Sequence, residues 1–137
     1  MWEPISFEDR LLESYLKANP GRLFLEVPLW FDVDPSEARR IDGVLIPGED
    51  TIVYLSGSYS MDKLKEAVDN QTVHLIEAKK RLNRTVIGQL LVGKALFKRA
   101  FPSSNPIMVA VCGKGHADLE WFCSKNDITV AIFSIGA

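Results

Sequence analysis

Residues 72–79 read TVHLIEAK, an apolar run whose carboxylate and ammonium come only at its far end, at Glu77 and Lys79. Apolar residues at successive positions mark a strand buried on both faces. The next element is a helix over 84–100 (RTVIGQLLVGKALFKRA), with Val86, Ile87, Leu90, Leu91 and Phe97 on its apolar side. Gly88 and Gly93 weaken that helix, an expense that close packing against a neighbour would justify. Pro102 and Pro106 punctuate a loop; 107–112 (IMVAVC) is a strand, 116–125 a helix and 128–135 (ITVAIFSI) a last strand.

Upstream of the central run, Ser6-Phe-Glu-Asp9 reads as a capping box, and Leu11, Leu12, Tyr15 and Leu16 come after it at helical spacing, giving a helix over 7–18. Asn19-Pro20-Gly21 stops it. Residues 22–31 (RLFLEVPLWF) form a strand in which Pro28 calls for an edge position or a bulge. A polar turn, 32–37 (DVDPSE), leads to a second strand at 39–46 (RRIDGVLI), ended by Pro47-Gly48. Residues 51–55 extend the sheet as a hairpin arm, 57–60 are a loop, and 61–69 form a short surface helix. Strands alternating with helices imply an α/β domain, its sheet covered by helices on both faces.

The chain has 137 residues, the size of one domain. Hydrophobic residues make up 47% and charged residues 25%, which supports a packed core and excludes intrinsic disorder and fibrous repeats. Cys112 and Cys123 are too few for a disulfide scaffold and suit a reducing compartment. No stretch has the ~18 uninterrupted apolar residues of a membrane helix. The start, MWEPISFEDR, lacks a signal-peptide pattern, so the expected address is cytoplasmic, with no membrane partner.

A formal net charge of −2 gives no global reason to expect nucleic acid, but it conceals an asymmetry. Residues 1–77 carry 15 acids and 7 bases; residues 78–137 carry 3 acids and 9 bases. Lys79, Lys80, Arg81, Arg84, Lys94, Lys98 and Arg99 succeed one another with no acid between them. Such an element is either a solvated helix face or an electrostatic footprint for phosphate.

Asp42 interrupts the apolar strand Ile41–Ile46. Glu77 and Lys79, two apart on a strand, project to one side about 7 Å from each other. If their strands are neighbours, two carboxylates and an ammonium converge. Paired carboxylates bind a hard divalent cation such as Mg²⁺. The ion lowers the pKa of bound water and polarises a phosphodiester, while the lysine orients the water or offsets developing charge.

Arg40-Ile-Asp42-Gly43, with His74-Leu-Ile-Glu77-Ala-Lys79 downstream, resembles the PD-(D/E)XK nuclease superfamily, the restriction-endonuclease-like fold. Ile87-Gly88-Gln89-Leu90-Leu91 resembles the Gln-bearing helix after Glu-x-Lys in many members. The resemblance implies a mixed sheet flanked by helices, built on an α-β-β-β-α-β core that residues 7–112 match, with an extra C-terminal helix and strand. It implies an Mg²⁺-dependent DNA nuclease (Mn²⁺ as substitute) in which Asp42 and Glu77 hold metal, Lys79 positions the attacking water and Gln89 supports the site. Many members add a Glu from the first helix: Glu13 is the candidate, Glu26 on the first strand the competitor. Lys80, Arg81, Arg84 and Arg40 would contact DNA. No organic cofactor is expected, and cutting both strands symmetrically would need a homodimer. Two departures stand out: Ile41 precedes Asp42 where the motif has Pro, and Glu77 lies 35 positions after Asp42. The segment 49–71, read as an insertion, accounts for the second.

Other readings compete. A nuclease fold without catalysis would serve as a DNA-binding or assembly module. A nucleotide-binding protein would use the loop Gly113-Lys-Gly-His116, which precedes a helix but lacks P-loop spacing. Cys112, His116 and Cys123 supply three zinc ligands where structural zinc takes four, so two buried or half-buried thiols are expected instead. His74 alternates with Glu77 and reads as a packed or hydrogen-bonded histidine. Trp2, Trp30 and Trp121 are scattered, which fits core or interface positions better than a base-stacking platform.

Overall fold

The computed structural model describes residues 2–29 and 39–135. The expected turn at 32–37, Trp30 and the last two residues of the first predicted strand lie outside that range. In chain order the elements are α1 (Phe7–Ala18), β1 (Gly21–Leu29), β2 (Arg39–Pro47), β3 (Ile52–Tyr54), α2 (Met61–Val68), β4 (Thr72–Arg81), α3 (Arg84–Ala100), β5 (Asn105–Lys114), α4 (Ala117–Lys125) and β6 (Ile128–Ile132). Each of these helices begins on a side-chain acceptor, the commonest way to satisfy its orphan amides. Ser6 accepts from the Asp9 amide, Ser60 from Lys63, Asn83 from Val86 and His116 from Leu119.

The strands form one mixed sheet in the order β3-β1-β2-β4-β5-β6. β2 pairs antiparallel with β1 on one side and β4 on the other; β4 and β5 are parallel through the α3 crossover, and β5 and β6 are parallel through α4. β3 is not a hairpin arm. It pairs parallel with β1 at Arg22–Phe24. Both edges of β2 are already taken, so the chain reverses at Pro47-Gly48 and adds to the free edge of β1, running in β1's direction. Because β3 reaches only Phe24, β1 has no described neighbour on that side at Pro28, where an amide is missing anyway.

α1 covers one face and α2, α3 and α4 the other. Leu11, Leu12, Tyr15 and Leu16 of α1 pack with Leu23, Leu25, Leu45, Ile76, Ala78, Val109 and Val111. Leu64 and Val68 of α2 and Phe97 of α3 pack with Phe24, Val27, Ile41, Val44, Val73 and Leu75. Val86, Ile87 and Leu90 of α3 join Cys123 of α4 over Met108, Ala110 and Cys112. The α3 glycines do not serve the close packing that the sequence suggests. A Cβ on Gly88 would meet nothing within 4 Å, and one on Gly93 would meet Ile41 at an ordinary 3.8 Å.

One irregularity matters for function. On β1, Leu23 and Leu25 face α1 and Phe24 faces away, so strict alternation would turn Val27 and Leu29 towards α1. Both instead lie on the Phe24 side. The pleat inverts at Glu26, a non-glycine residue with φ of 48°. That left-handed conformation costs roughly 1–2 kcal/mol for an L-residue. β2 inverts at the facing step. Leu25 pairs with Gly43 and Val27 with Ile41, which sets Glu26 opposite Asp42.

Candidate functional site

The β2–β4 ladder runs from Leu45↔His74 to Gly43↔Ile76 and stops there. The next step in the same register would set Asp42 beside Glu77. In place of the ladder, the Asp42 side chain enters the gap, and its Oδ2 accepts the Ala78 amide at 2.8 Å. The Glu77 side chain hydrogen-bonds Asp42 and is 3% exposed. Two carboxylates thus meet between splayed strands.

Taking a carboxylate out of water disfavours its charged form. Burial accordingly raises the Asp42 carboxyl above its ordinary range, and the negative charge of Glu26 pushes the same way. The Ala78 amide, the Glu77 side chain and the positive charge of Lys79 act in opposition. Lys79 itself is exposed, two residues past Glu77.

Asp42 opens onto a cleft of about 460 Å³. Glu8 and Asp9 from the first turn of α1, Glu26, Leu55 and Ser56 also line it. Four carboxylates therefore share the cleft. Glu13 is not among them: it lies along a separate cleft of about 300 Å³ and pairs with Lys17 at 3.9 Å. Glu26 is the one that shares Asp42's cleft. In the sequence Glu8 and Asp9 are marked only as helix-start acids, a role that hides their second position on the cleft wall. Gln89 is half-buried on α3, and Arg40, Lys80, Arg81 and Arg84 are exposed. The ammonium of Lys80 lies 5.4 Å from the Phe7 ring centroid, which steers it towards α1.

The kink at Glu26 is stapled from the insertion. Tyr59 Oη donates to the Leu25 carbonyl at 2.7 Å, and its ring meets Phe24 edge-on at 5.0 Å. Tyr54 stacks on the same Phe24 at 4.3 Å. Neither tyrosine carries a sequence signal beyond its aromatic character.

The remaining motif residues have structural duties. His74 Nδ1 and Tyr15 Oη are hydrogen-bonded at 2.7 Å beneath α1; burial lowers the His74 pKa and pushes Tyr15 up to about 12. Cys112 and Cys123 are buried free thiols, and burial raises both. His116 caps α4. Trp2 is half-buried, and Trp121 is 63% exposed.

Among the described residues, no group of three or more His, Cys, Asp or Glu gathers at metal-binding distance, and no helix is long and apolar enough to cross a membrane. Comparison with protein-family models, curated proteins and solved structures finds no match to the chain.

Proposed function

We propose that the chain is an Mg²⁺-dependent DNA nuclease with a restriction-endonuclease-like core. In that reading α1, β1, β2, β4, α3 and β5 are the core, β3 and α2 the insertion, and α4 and β6 an addition. The observation that carries the proposal is the meeting of Asp42 and Glu77 at the break in the β2–β4 ladder, with Lys79 two residues on. Structural economy does not explain it. A buried Glu77 beside a half-buried Asp42 costs stability as a pair, and the one amide bond from Ala78 calls for a single acceptor, not two carboxyl groups.

The donor set fits a hard cation. Mg²⁺ keeps several of its waters and is commonly held by one or two carboxylates together with substrate phosphate, so a third protein ligand is not required. Asp42 and Glu77 would hold it, with Glu26 at the rim of the same cleft. When bound, such an ion supplies charge neutralisation at the phosphate and acidifies water. Within the protein, Lys79 orients the attacking water and offsets negative charge on the phosphoryl oxygens in the transition state. The water oxygen bonds to phosphorus as the bond to one ester oxygen breaks. The departing alkoxide takes up a proton, and the water's surplus proton passes to solvent. Gln89 supports the site from α3, and Arg40, Lys80, Arg81 and Arg84 hold the DNA backbone. A second copy would be needed to cut both strands symmetrically.

The test is cleavage of single-stranded, duplex and branched DNA in Mg²⁺ or Mn²⁺ by the wild type and by Asp42→Ala, Glu77→Ala and Lys79→Ala, with circular dichroism as a fold control. Activity in the wild type alone is the expected result. Full activity in any folded variant, or no cleavage of any substrate by the wild type, refutes the proposal.

A further inference from the structure

The end of the sheet that holds Asp42 and Glu77 also gathers a group of cations, in a spatial order that the sequence does not reveal. Past Glu77, β4 continues through Lys79, Lys80 and Arg81, all exposed. β5 runs parallel beside it and ends at exposed Lys114, the register partner of Arg81. The Leu82 amide donates to the Lys114 carbonyl at 2.9 Å, tying the two strand tips together. Arg84, exposed, opens α3 directly after them.

Strand alternation sorts these cations. Glu77, Lys79 and Arg81 project to one side, and paired residues of parallel neighbours share a side, so Lys114 joins them. Lys80 points the other way, over Phe7. From Ala78 to Ala117 the chain contains no Asp or Glu, and among the described residues Arg81, Arg84 and Lys114 make no ion pair. The opposite end of the sheet, where β2 ends and β4 begins, carries Glu49, Asp50 and Asp69.

We propose that Lys79, Arg81 and Lys114 form a phosphate track that takes a single DNA strand away from the Asp42–Glu77 site along the tips of β4 and β5. The proposal rests on the nuclease reading for its scissile end. Residues two apart on a strand are about 7 Å from each other, and Glu77 to Arg81 spans about 13 Å. Successive phosphates of an extended nucleic-acid strand repeat at a spacing close to the shorter distance. The track therefore starts at the scissile phosphate, where Lys79 acts, and engages the next phosphate on one side of the cut with Arg81 and Lys114 together. The loop 113–116 thereby acquires a role as the far wall of this track rather than as a nucleotide-binding loop.

The experiment measures affinity for a short fluorescein-labelled single strand across a KCl series, with metal chelated so that no cleavage intervenes. Wild type is compared with Arg81→Ala, Lys114→Ala, their double variant and, as a control, Lys65→Ala, an exposed lysine on α2. Each track variant is expected to lower the slope of log affinity against log salt, and the Arg81→Ala/Lys114→Ala double variant, which strips their shared phosphate of both cations, to lower it by about 0.7, the single-strand value per phosphate, while the control keeps the wild-type slope. Cleavage in Mg²⁺ is measured in parallel. Wild-type slopes in every track variant, in a protein that cleaves DNA, overturn the track and leave the nuclease reading standing. Reduced slopes in a protein that cleaves nothing support the track and overturn the nuclease reading. Absence of any salt-sensitive binding by the wild type overturns the track outright.

Discussion

Replacing Asp42 with asparagine and with alanine separates two duties of one side chain. Its Oδ2 accepts the amide of Ala78, a residue 3% exposed. Alanine removes that acceptor and leaves a buried amide unpaired, at a cost of about 1–3 kcal/mol. Asparagine keeps a carbonyl oxygen in the same place and has no charge to desolvate. The asparagine variant should therefore be at least as stable as the wild type at neutral pH, and more stable than the alanine variant by that amount. With urea m-values of about 1–3 kcal/mol/M, the two variants differ in midpoint by on the order of 1 M. Neither should cleave DNA, because neither retains the charge.

The pH dependence gives a second measure. Burial raises the folded-state carboxyl of Asp42 above its ordinary 3.8. Between the two values the folded chain holds a proton that the unfolded chain has released. This group's contribution is thus fully present below 3.8 and is lost as pH rises through the raised value. Subtracting the asparagine variant's stability from the wild type's cancels the acids away from the Asp42–Glu77 pair, so the difference reports that pair. The difference should fall as pH rises from 3.8 and then level off. Urea denaturation across this pH range measures both quantities. An asparagine variant as unstable as the alanine variant refutes the acceptor role, and a difference independent of pH refutes the raised carboxyl.

Other contacts give three more expected outcomes. Tyr59→Phe keeps the ring against Phe24 but loses the bond to the Leu25 carbonyl, so stability should drop by about 1–2 kcal/mol in urea denaturation; an unchanged midpoint would show that the staple does not hold the kink. The Tyr15–His74 pair should give opposite pH limits. His74, lowered by burial, contributes stability that is full above 6.5 and lost as pH falls through its folded value, while Tyr15 contributes stability lost as pH rises from 10.0 towards about 12. His74→Phe should flatten the acid limb, and an unchanged limb counts against the assignment. Cys112 and Cys123, 1% and 0% exposed, should react with a thiol reagent only on unfolding, and rapid labelling of both in buffer would contradict their burial.

Much of this fold is legible because its local signals agree with one another. α1 and α3 occupy 7–18 and 84–100, the ranges that caps and apolar spacing indicate. Alternation alone marks His74 as a packed or hydrogen-bonded residue, and it lies against Tyr15. The features that escape the sequence depend on partners chosen at long range. β3 has the length and composition of any edge strand, and only the occupied edges of β2 send it to β1. Glu26 is a poor left-handed residue by intrinsic preference, so no propensity marks the pleat inversion there. Glu13 and Glu26 are both plausible acids in the sequence; the cleft separates them because the kink, not the helix, brings a carboxylate up to Asp42. Asp42 itself stands out as an acid in an apolar strand, but its use as a substitute rung of the ladder is visible only once β4 lies beside it.

That substitute rung makes the site audible from the backbone. An amide bonded to a carboxylate is polarised according to that carboxylate's charge, and the Ala78 N–H donates to the Asp42 side chain. Its proton resonance is thus a native gauge, needing no label beyond nitrogen-15. It should shift when Asp42 gains or loses a proton, and again when a cation draws the oxygen away, so that one cross-peak follows the charge state of the pair from inside the sheet.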